Sequence, residues 1–210
     1  MVVSSPQQGP LAPGAIGIFG GSFDPAHRAH LALARTAQDQ LGLRELRWVP
    51  AGRPWQKQGR AITAAEQRCA MIECLIAGET GFVLDRSEIE HGGPSYTVET
   101  LERLGARPQT AAHWVLVIGQ DQYARLASWH RWRELLQLCC LAVAARAGEV
   151  VRATPELEAV AHTVVRLDMP AMEISSTLVH ETLARGEDIT PLVGDGVARY
   201  IAQHRLYSEY

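Results

Sequence analysis

The amino-acid sequence predicts a single three-layer α/β domain built on a parallel sheet. Short apolar runs alternate with segments of helical periodicity along almost the whole chain. Strands joined through crossover helices lie parallel in one sheet with helices on its faces. No internal repeat or linker interrupts that rhythm, and 210 residues suit one large domain with a substantial core.

In chain order, AIGIFG (15–20) is an apolar run ending in glycines, as expected of a buried strand. From 26 to 41, Ala29, Leu33, Ala34, Ala37 and Leu41 recur at helical spacing, and Gly42 supplies a C-terminal stop. LRWVP (46–50) is the second strand, closed by Pro50, and AGRPWQKQGR (51–60) is a loop. Thr63-Ala-Ala-Glu66 has the pattern of a capping box and opens a helix running to Ala77. FVLD (82–85) is the third strand; a turn at HGGPS then leads to a helix over 96–104. HWVLVIG (113–119) is the most apolar strand, followed by short helices at 121–126 and 132–138. CCLAVAA (139–145) and TVVRL (163–167) are the fifth and sixth strands. A helix after ISST (174–177) and a last one over 196–204 give a small C-terminal helical portion. Residues 1–14 are rich in Pro, Gly, Ser and Gln and lack the basic start and apolar centre of a signal peptide. They are expected to form a disordered lead-in, leaving 15–210 as the domain.

Composition narrows the function. A formal net charge of −3, with 6% aromatic residues, argues against a nucleic-acid binder, which needs a basic face. No apolar stretch approaches the ~20 residues that span a bilayer. Cys69, Cys74, Cys139 and Cys140 form no CxxC pair, and the last two sit inside an apolar run, so buried thiols in a reducing cytoplasm are expected. Every basic residue except Lys57 is arginine.

The first strand–helix junction carries the chemistry. GGSFDPAHRAH (20–30) places two glycines and an Asp-Pro turn before a helix that His27 begins. In such sheets ligands bind beyond the strand C-termini, and a helix N-terminus there offers unpaired N–H groups to phosphate. His27 and His30, three residues apart, share one helix face and can reach the same anion. Zinc uses similar spacing, but no carboxylate or thiolate third ligand lies nearby in sequence, so no metal site is assigned. Two solvated surface histidines are the plainer alternative.

The same stretch resembles the GxFDPxHxGH signature of nucleotidyltransferases that carry an HxGH motif, with Ala29 at the place of the glycine. The resemblance implies a Rossmann-like, doubly wound fold. It also implies that Gly20, Gly21, Ser22, Phe23, His27 and His30 bind ATP, the two histidines being catalytic. ISSTLVH (174–180) is similar to the ISxTxIR segment of that family, which implies triphosphate contacts for Ser175, Ser176 and Thr177; His180 stands where the family has arginine. ISST is also a good capping sequence by itself.

PSYTVETL (94–101), VIGQDQYARLASWHRWREL (117–135) and AARAGE (144–149) come in the order of the SYTxxTL, IGxDxxxxxxxW and RPG elements of nicotinate mononucleotide adenylyltransferases. This likeness spans Gly17 to Tyr207. It implies that Ser95, Tyr96, Thr97, Trp129 and Arg146 bind the second substrate, with Trp129 stacked on the pyridine ring and the Thr97 hydroxyl near its carboxylate. Gly119 and Asp121 would meet the adenylate, Asp121 taking a ribose hydroxyl. Trp129 as plain core and Asp121 as a helix cap stay open, and Ala147 replaces the proline of RPG. Lys57, in GRPWQKQ, is the counterpart of a basic residue that would reach the leaving pyrophosphate; Arg53 competes for that role, and a solvated charge is the alternative.

The implied reaction joins nicotinate mononucleotide to the α-phosphorus of ATP, giving the deamido dinucleotide and pyrophosphate, with Mg²⁺ carried in by ATP. ATP and the mononucleotide are the expected partners of a cytoplasmic monomer or small homo-oligomer that binds neither nucleic acid nor membrane. Open alternatives are an adenylyltransferase acting on nicotinamide mononucleotide or pantetheine phosphate, and a silent nucleotide-binding protein.

Overall fold

Six parallel strands form one sheet in the order β3-β2-β1-β4-β5-β6 in a computed structural model that describes residues 11–53, 62–145 and 150–207. The strands are β1 (Ile16–Gly21), β2 (Glu45–Pro50), β3 (Phe82–Leu84), β4 (Trp114–Gly119), β5 (Cys140–Ala145) and β6 (Val164–Asp168). The helices are α1 (Arg28–Leu41), α2 (Ala65–Ile76), α3 (Ser87–Glu90), α4 (Thr97–Arg103), α5 (Gln120–Ala124), α6 (Trp132–Leu138), α7 (Pro155–Glu158), α8 (Ser176–Ala184), α9 (Thr190–Val193) and α10 (Asp195–Gln203).

Period-two alternation sends successive strand residues to opposite faces. Phe19, Val115 and Val117 pack toward α1, α2, α8 and α10, with Leu33, Ala37, Met71, Val179 and Ile201 as partners. Ile18, Leu116 and Ile118 pack the other way, against Leu101 of α4, Tyr123 of α5 and Leu135 of α6. Both faces are covered, which explains why the central strands are apolar throughout. The doubly wound fold is therefore as the sequence predicts. Every expected strand is present within a residue or so of its expected bounds.

Where the structure departs from expectation, tertiary contacts are the reason. The Thr63–Glu66 capping box does not form: the N-cap of α2 is Ala64, without a side-chain cap. Thr63 is drawn elsewhere, its N–H donating to Asp24 Oδ2 at 3.3 Å and its carbonyl accepting from Arg68 Nε at 2.9 Å. The four-residue helices α3, α7 and α9 carry too little periodicity to be legible in the sequence. At the start of the described chain, Ala12 N–H donates to Ala112 O at 2.9 Å, and Leu11 rests on the core.

The order of strands reverses between β1 and β4, which are neighbours although two strands and four α-helices separate them in sequence. The crevice beyond the C-termini of these two strands is where such sheets bind ligands. It is lined here by Gly20, Gly21 and Gly119.

Candidate active site

The loop after β1 is held rigid from below. Phe23, with φ 47°, is a non-glycine residue in the left-handed region, and its ring wedges between Phe19, His30 and Trp48 at centroid separations of 5.0 to 5.4 Å. A Cβ on Gly21 would come within 3.1 Å of that ring, so the glycine is needed for the ring to seat. A Cβ on Gly20 or Gly119 would meet no protein atom within 4 Å and would instead project into open space.

Asp24, 6% exposed, is the knot of this loop. Its carboxylate accepts from the Tyr207 hydroxyl at 2.7 Å, and its carbonyl accepts from His180 Nε2 at 2.9 Å. The His180 ring also meets Tyr207 edge-on at 4.4 Å. The histidine at the arginine place of the family segment is thus bonded to the loop backbone. Arg68, 1% exposed, donates to the carbonyls of Ser22 and Ala51, each at 2.7 Å, as well as to Thr63. One guanidinium fork therefore ties the loop after β1 to the loop after β2.

His27 is the N-cap residue of α1, and its backbone N–H donates to His30 Nδ1 at 3.2 Å. That bond makes Nδ1 of His30 an acceptor and assigns the ring proton to Nε2. The two rings stack at 3.5 Å with an interplanar angle of 20°, so they do share one face. Burial lowers the His27 pKa to about 4, keeping the ring neutral at pH 7. Its Nδ1 is buried without a hydrogen-bond partner among the described residues. His30 lines the crevice; His27 stands behind it.

The N-terminus of α8 docks beside this loop. Ser176 Oγ donates to Pro25 O at 3.1 Å, and Ser175 Oγ caps the helix by accepting from Leu178 N–H at 3.1 Å. Thr177 is exposed in the first turn.

The other half of the crevice comes from three separate segments. Ser95 Oγ accepts from the N–H groups of Gly52 and Arg53 at 2.9 and 3.3 Å. Thr97 opens α4, and Trp129 follows the 3-10 turn at Leu126–Ser128. Trp129 Nε1 is buried with no hydrogen-bond partner among the described residues. Together with Gly20, Gly21, Ser22, His30 and Gly119, these three residues line one cavity of about 340 Å³, a volume within the usual range for small-molecule sites.

The structure does not bring every expected residue to that lining. Tyr96 turns aside to stack on His130 at 4.2 Å, and Phe23 lies beneath the loop. Asp121 is exposed on α5, and its neighbour Gln122 lines the cavity instead. Ser175, Ser176 and Thr177 flank the Asp24-Pro25 turn rather than the cavity. Lys57, Arg146 and Ala147 lie outside the described residues. Arg53 is exposed at the end of the described part of its loop.

Two important residues escape the motif reading, Arg68 and Glu88. Arg68 had a signal: it occupies the stripe of α2 otherwise filled by Met71, Ile72 and Leu75, and a charge there needs buried partners. Glu88 had none, being one acid in a polar run.

Comparison with known proteins shows the family of the chain and agrees with its fold. The cytidylyltransferase-like family model matches residues 18–182. A probable nicotinate-nucleotide adenylyltransferase of Methylibium petroleiphilum is 49% identical over 197 residues, covering 92% of each chain. One from Bordetella avium is 41% identical over 197 residues, covering 91% of this chain and 97% of its own. The Plasmodium falciparum nicotinic acid mononucleotide adenylyltransferase complexed with NaAD superposes with a TM-score of 0.70 at 20% identity. That match covers 92% of this chain and 97% of the other and is a likeness of fold.

Proposed function

The chain belongs to the nicotinate-nucleotide adenylyltransferases of the cytidylyltransferase-like family, and on that premise we propose that it transfers AMP from ATP to nicotinate mononucleotide, forming nicotinate adenine dinucleotide and pyrophosphate. The observation that carries this reading is convergence. Phosphate-suited groups (Gly20, Gly21, Ser22, His30, Gly119) and ring- and carboxylate-suited groups (Ser95, Thr97, Trp129) line one cavity where the strand order reverses.

A phosphate oxygen of the mononucleotide attacks the α-phosphorus of ATP. The bond from that phosphorus to the oxygen bridging toward the β-phosphorus breaks, and its electron pair leaves with pyrophosphate. The attacking phosphate is already ionised at neutral pH, so no side chain need remove a proton. What remains is alignment and stabilisation of developing charge. His30 donates a hydrogen bond from its Nε2–H to a phosphoryl oxygen. His27 caps α1, orients His30 through its backbone N–H and adds a neutral ring beside it. The glycines let phosphate approach the backbone, and the first turn of α8, with Ser175, Ser176 and Thr177, faces the outer phosphates.

In the acceptor half Trp129 stacks on the pyridine ring, the Thr97 hydroxyl and backbone N–H groups meet its carboxylate, and Ser95 lines the same wall. Asp121 takes a ribose hydroxyl from its exposed position. Lys57 or Arg53 reaches the leaving pyrophosphate, and Arg146 contributes to the nucleotide.

Among the described residues no three His, Cys, Asp or Glu side chains converge as a metal cage. Magnesium carried in on the ATP phosphates would neutralise charge on the leaving group. The four cysteines are free thiols, as in a reducing cytoplasm, and no described helix is long and apolar enough to cross a membrane.

The test is pyrophosphate release from ATP and Mg²⁺ with nicotinate mononucleotide or nicotinamide mononucleotide as acceptor. Release with the acid, and much less with the amide, is expected. Release with neither from folded protein would leave a silent nucleotide binder as the better reading.

A further inference from the structure

The cavity contains one carboxyl group that the reaction above leaves unused. Glu88 lies on α3, is 7% exposed, and lines the same cavity as Ser95, Thr97 and Trp129. Thr100 Oγ1 donates to its Oε1 at 2.7 Å, and Ser95 also hydrogen-bonds to it. Because Ser95 Oγ already accepts two backbone N–H bonds, its own proton is what it gives to Glu88. Glu88 is therefore wired to the loop after β2 and to α4, and it forms part of the acceptor wall.

An acid substrate brings a second carboxylate into this cavity. Two carboxylates in one water-poor site cannot both stay ionised at small cost, and sharing one proton relieves the repulsion. An amide substrate makes no such demand, since its NH₂ donates directly to an ionised carboxylate. We propose that Glu88 takes a proton from solvent when the acid substrate binds and donates it in a hydrogen bond to the pyridine carboxylate, so that the choice between acid and amide depends on pH through this residue. The inference rests on the proposed function and deepens it at the level of substrate choice.

The surroundings are suited to this exchange. Burial raises the Glu88 pKa, opposed by the hydroxyls of Thr100 and Ser95 and by the charge of Arg103 on α4; Asp85, at the end of β3, adds to the rise. On the β2 side Ala51 and Gly52 carry no charge, and Gly52 packs so closely that a Cβ there would lie 2.5 Å from the Glu88 carbonyl oxygen. His30 is the titratable group of the β1–α1 side of the cavity.

Calorimetric binding of nicotinate mononucleotide and nicotinamide mononucleotide, in buffers of differing ionisation enthalpy, counts the protons taken up. Both ligands carry the same phosphate, so their difference isolates the ring substituent. The acid is expected to take up more protons than the amide, by at most one. Its affinity relative to the amide then falls as pH rises, by up to about tenfold per pH unit. In Glu88→Gln the extra uptake disappears and the ratio becomes flat with pH, the Gln NH₂ still donating to the acid. Equal uptake by the two ligands in the unaltered protein overturns the inference without recourse to any variant. Extra uptake that survives in Glu88→Gln assigns the proton elsewhere and overturns it as well. Acid binding without extra uptake defeats this inference alone, whereas binding of neither nucleotide defeats the proposed function together with it.

Discussion

The two halves of the cavity are built on different plans. On the histidine side, the loop after β1 is locked through backbone atoms: Arg68, His180 and Ser176 each donate a hydrogen bond to one of its carbonyls. On the acceptor side, Glu88, Ser95 and Thr100 bond chiefly to one another and to two N–H groups, while Trp129 Nε1 is left without a partner among the described residues. The first plan makes a rigid cradle that can preorganise phosphates. The second leaves polar capacity for a ligand to complete. Rigidity is concentrated where charge develops, and adaptability where the substrate is chosen.

That contrast can be broken most directly at Arg68. Arg68→Ala leaves three carbonyls without their donor, that of Ala51 buried and those of Ser22 and Thr63 partly so, and a loss of about 3–5 kcal/mol in unfolding free energy is expected, measured by urea denaturation. A loss under 1 kcal/mol would show that the loop holds itself.

His30→Ala removes a donor aimed at phosphate, along with ring contacts to Phe19 and Phe23. Turnover of the folded variant is expected to fall by about 10²–10³. Near-normal turnover would remove His30 from the chemistry.

The same side should answer to pH. The folded pKa of His27, about 4, lies below the ordinary 6.5, so the unfolded chain binds a proton more readily. The stability His27 contributes is complete above about pH 6.5 and is lost as pH falls toward 4, by up to about 3 kcal/mol. Urea titrations of the native protein and of His27→Gln across that window should differ in slope; parallel curves would show that the ring is not held neutral.

The smallest effect is expected on the acceptor side. Trp129→Leu gives up ring stacking of about 0.5–1.5 kcal/mol, hence a several-fold rise in KM for the mononucleotide and little change in KM for ATP. An equal rise in both would merge the two halves into one unit.

Much of the histidine side was legible because its parts are contiguous. Glycines, Asp-Pro and both histidines fall within GGSFDPAHRAH, and the strand–turn–helix frame around them follows from apolar periodicity. The acceptor side was legible only in pieces. Ser95 and Thr97 belong to one motif and Trp129 to another, and chain spacing does not say that they line one cavity with Gly20 and His30. Asp121 and Gln122 illustrate the limit: a motif singles out the first, and the pitch of a five-residue helix sets the second, likewise exposed, at the cavity wall.

By itself the sequence determined the alternation of strands and helices, the apolar centre of the sheet and the phosphate-suited loop, all of which are encoded over a few neighbouring residues. The tertiary structure alone decided that Thr63 abandons its cap for Asp24, that His180 faces the loop backbone, that Arg68 bridges two loops, and that Glu88 enters the acceptor wall. The physical reason is common to all four. Each is a polar group whose partners come from distant parts of the chain, and the cost of burying it without them is settled only when those parts meet.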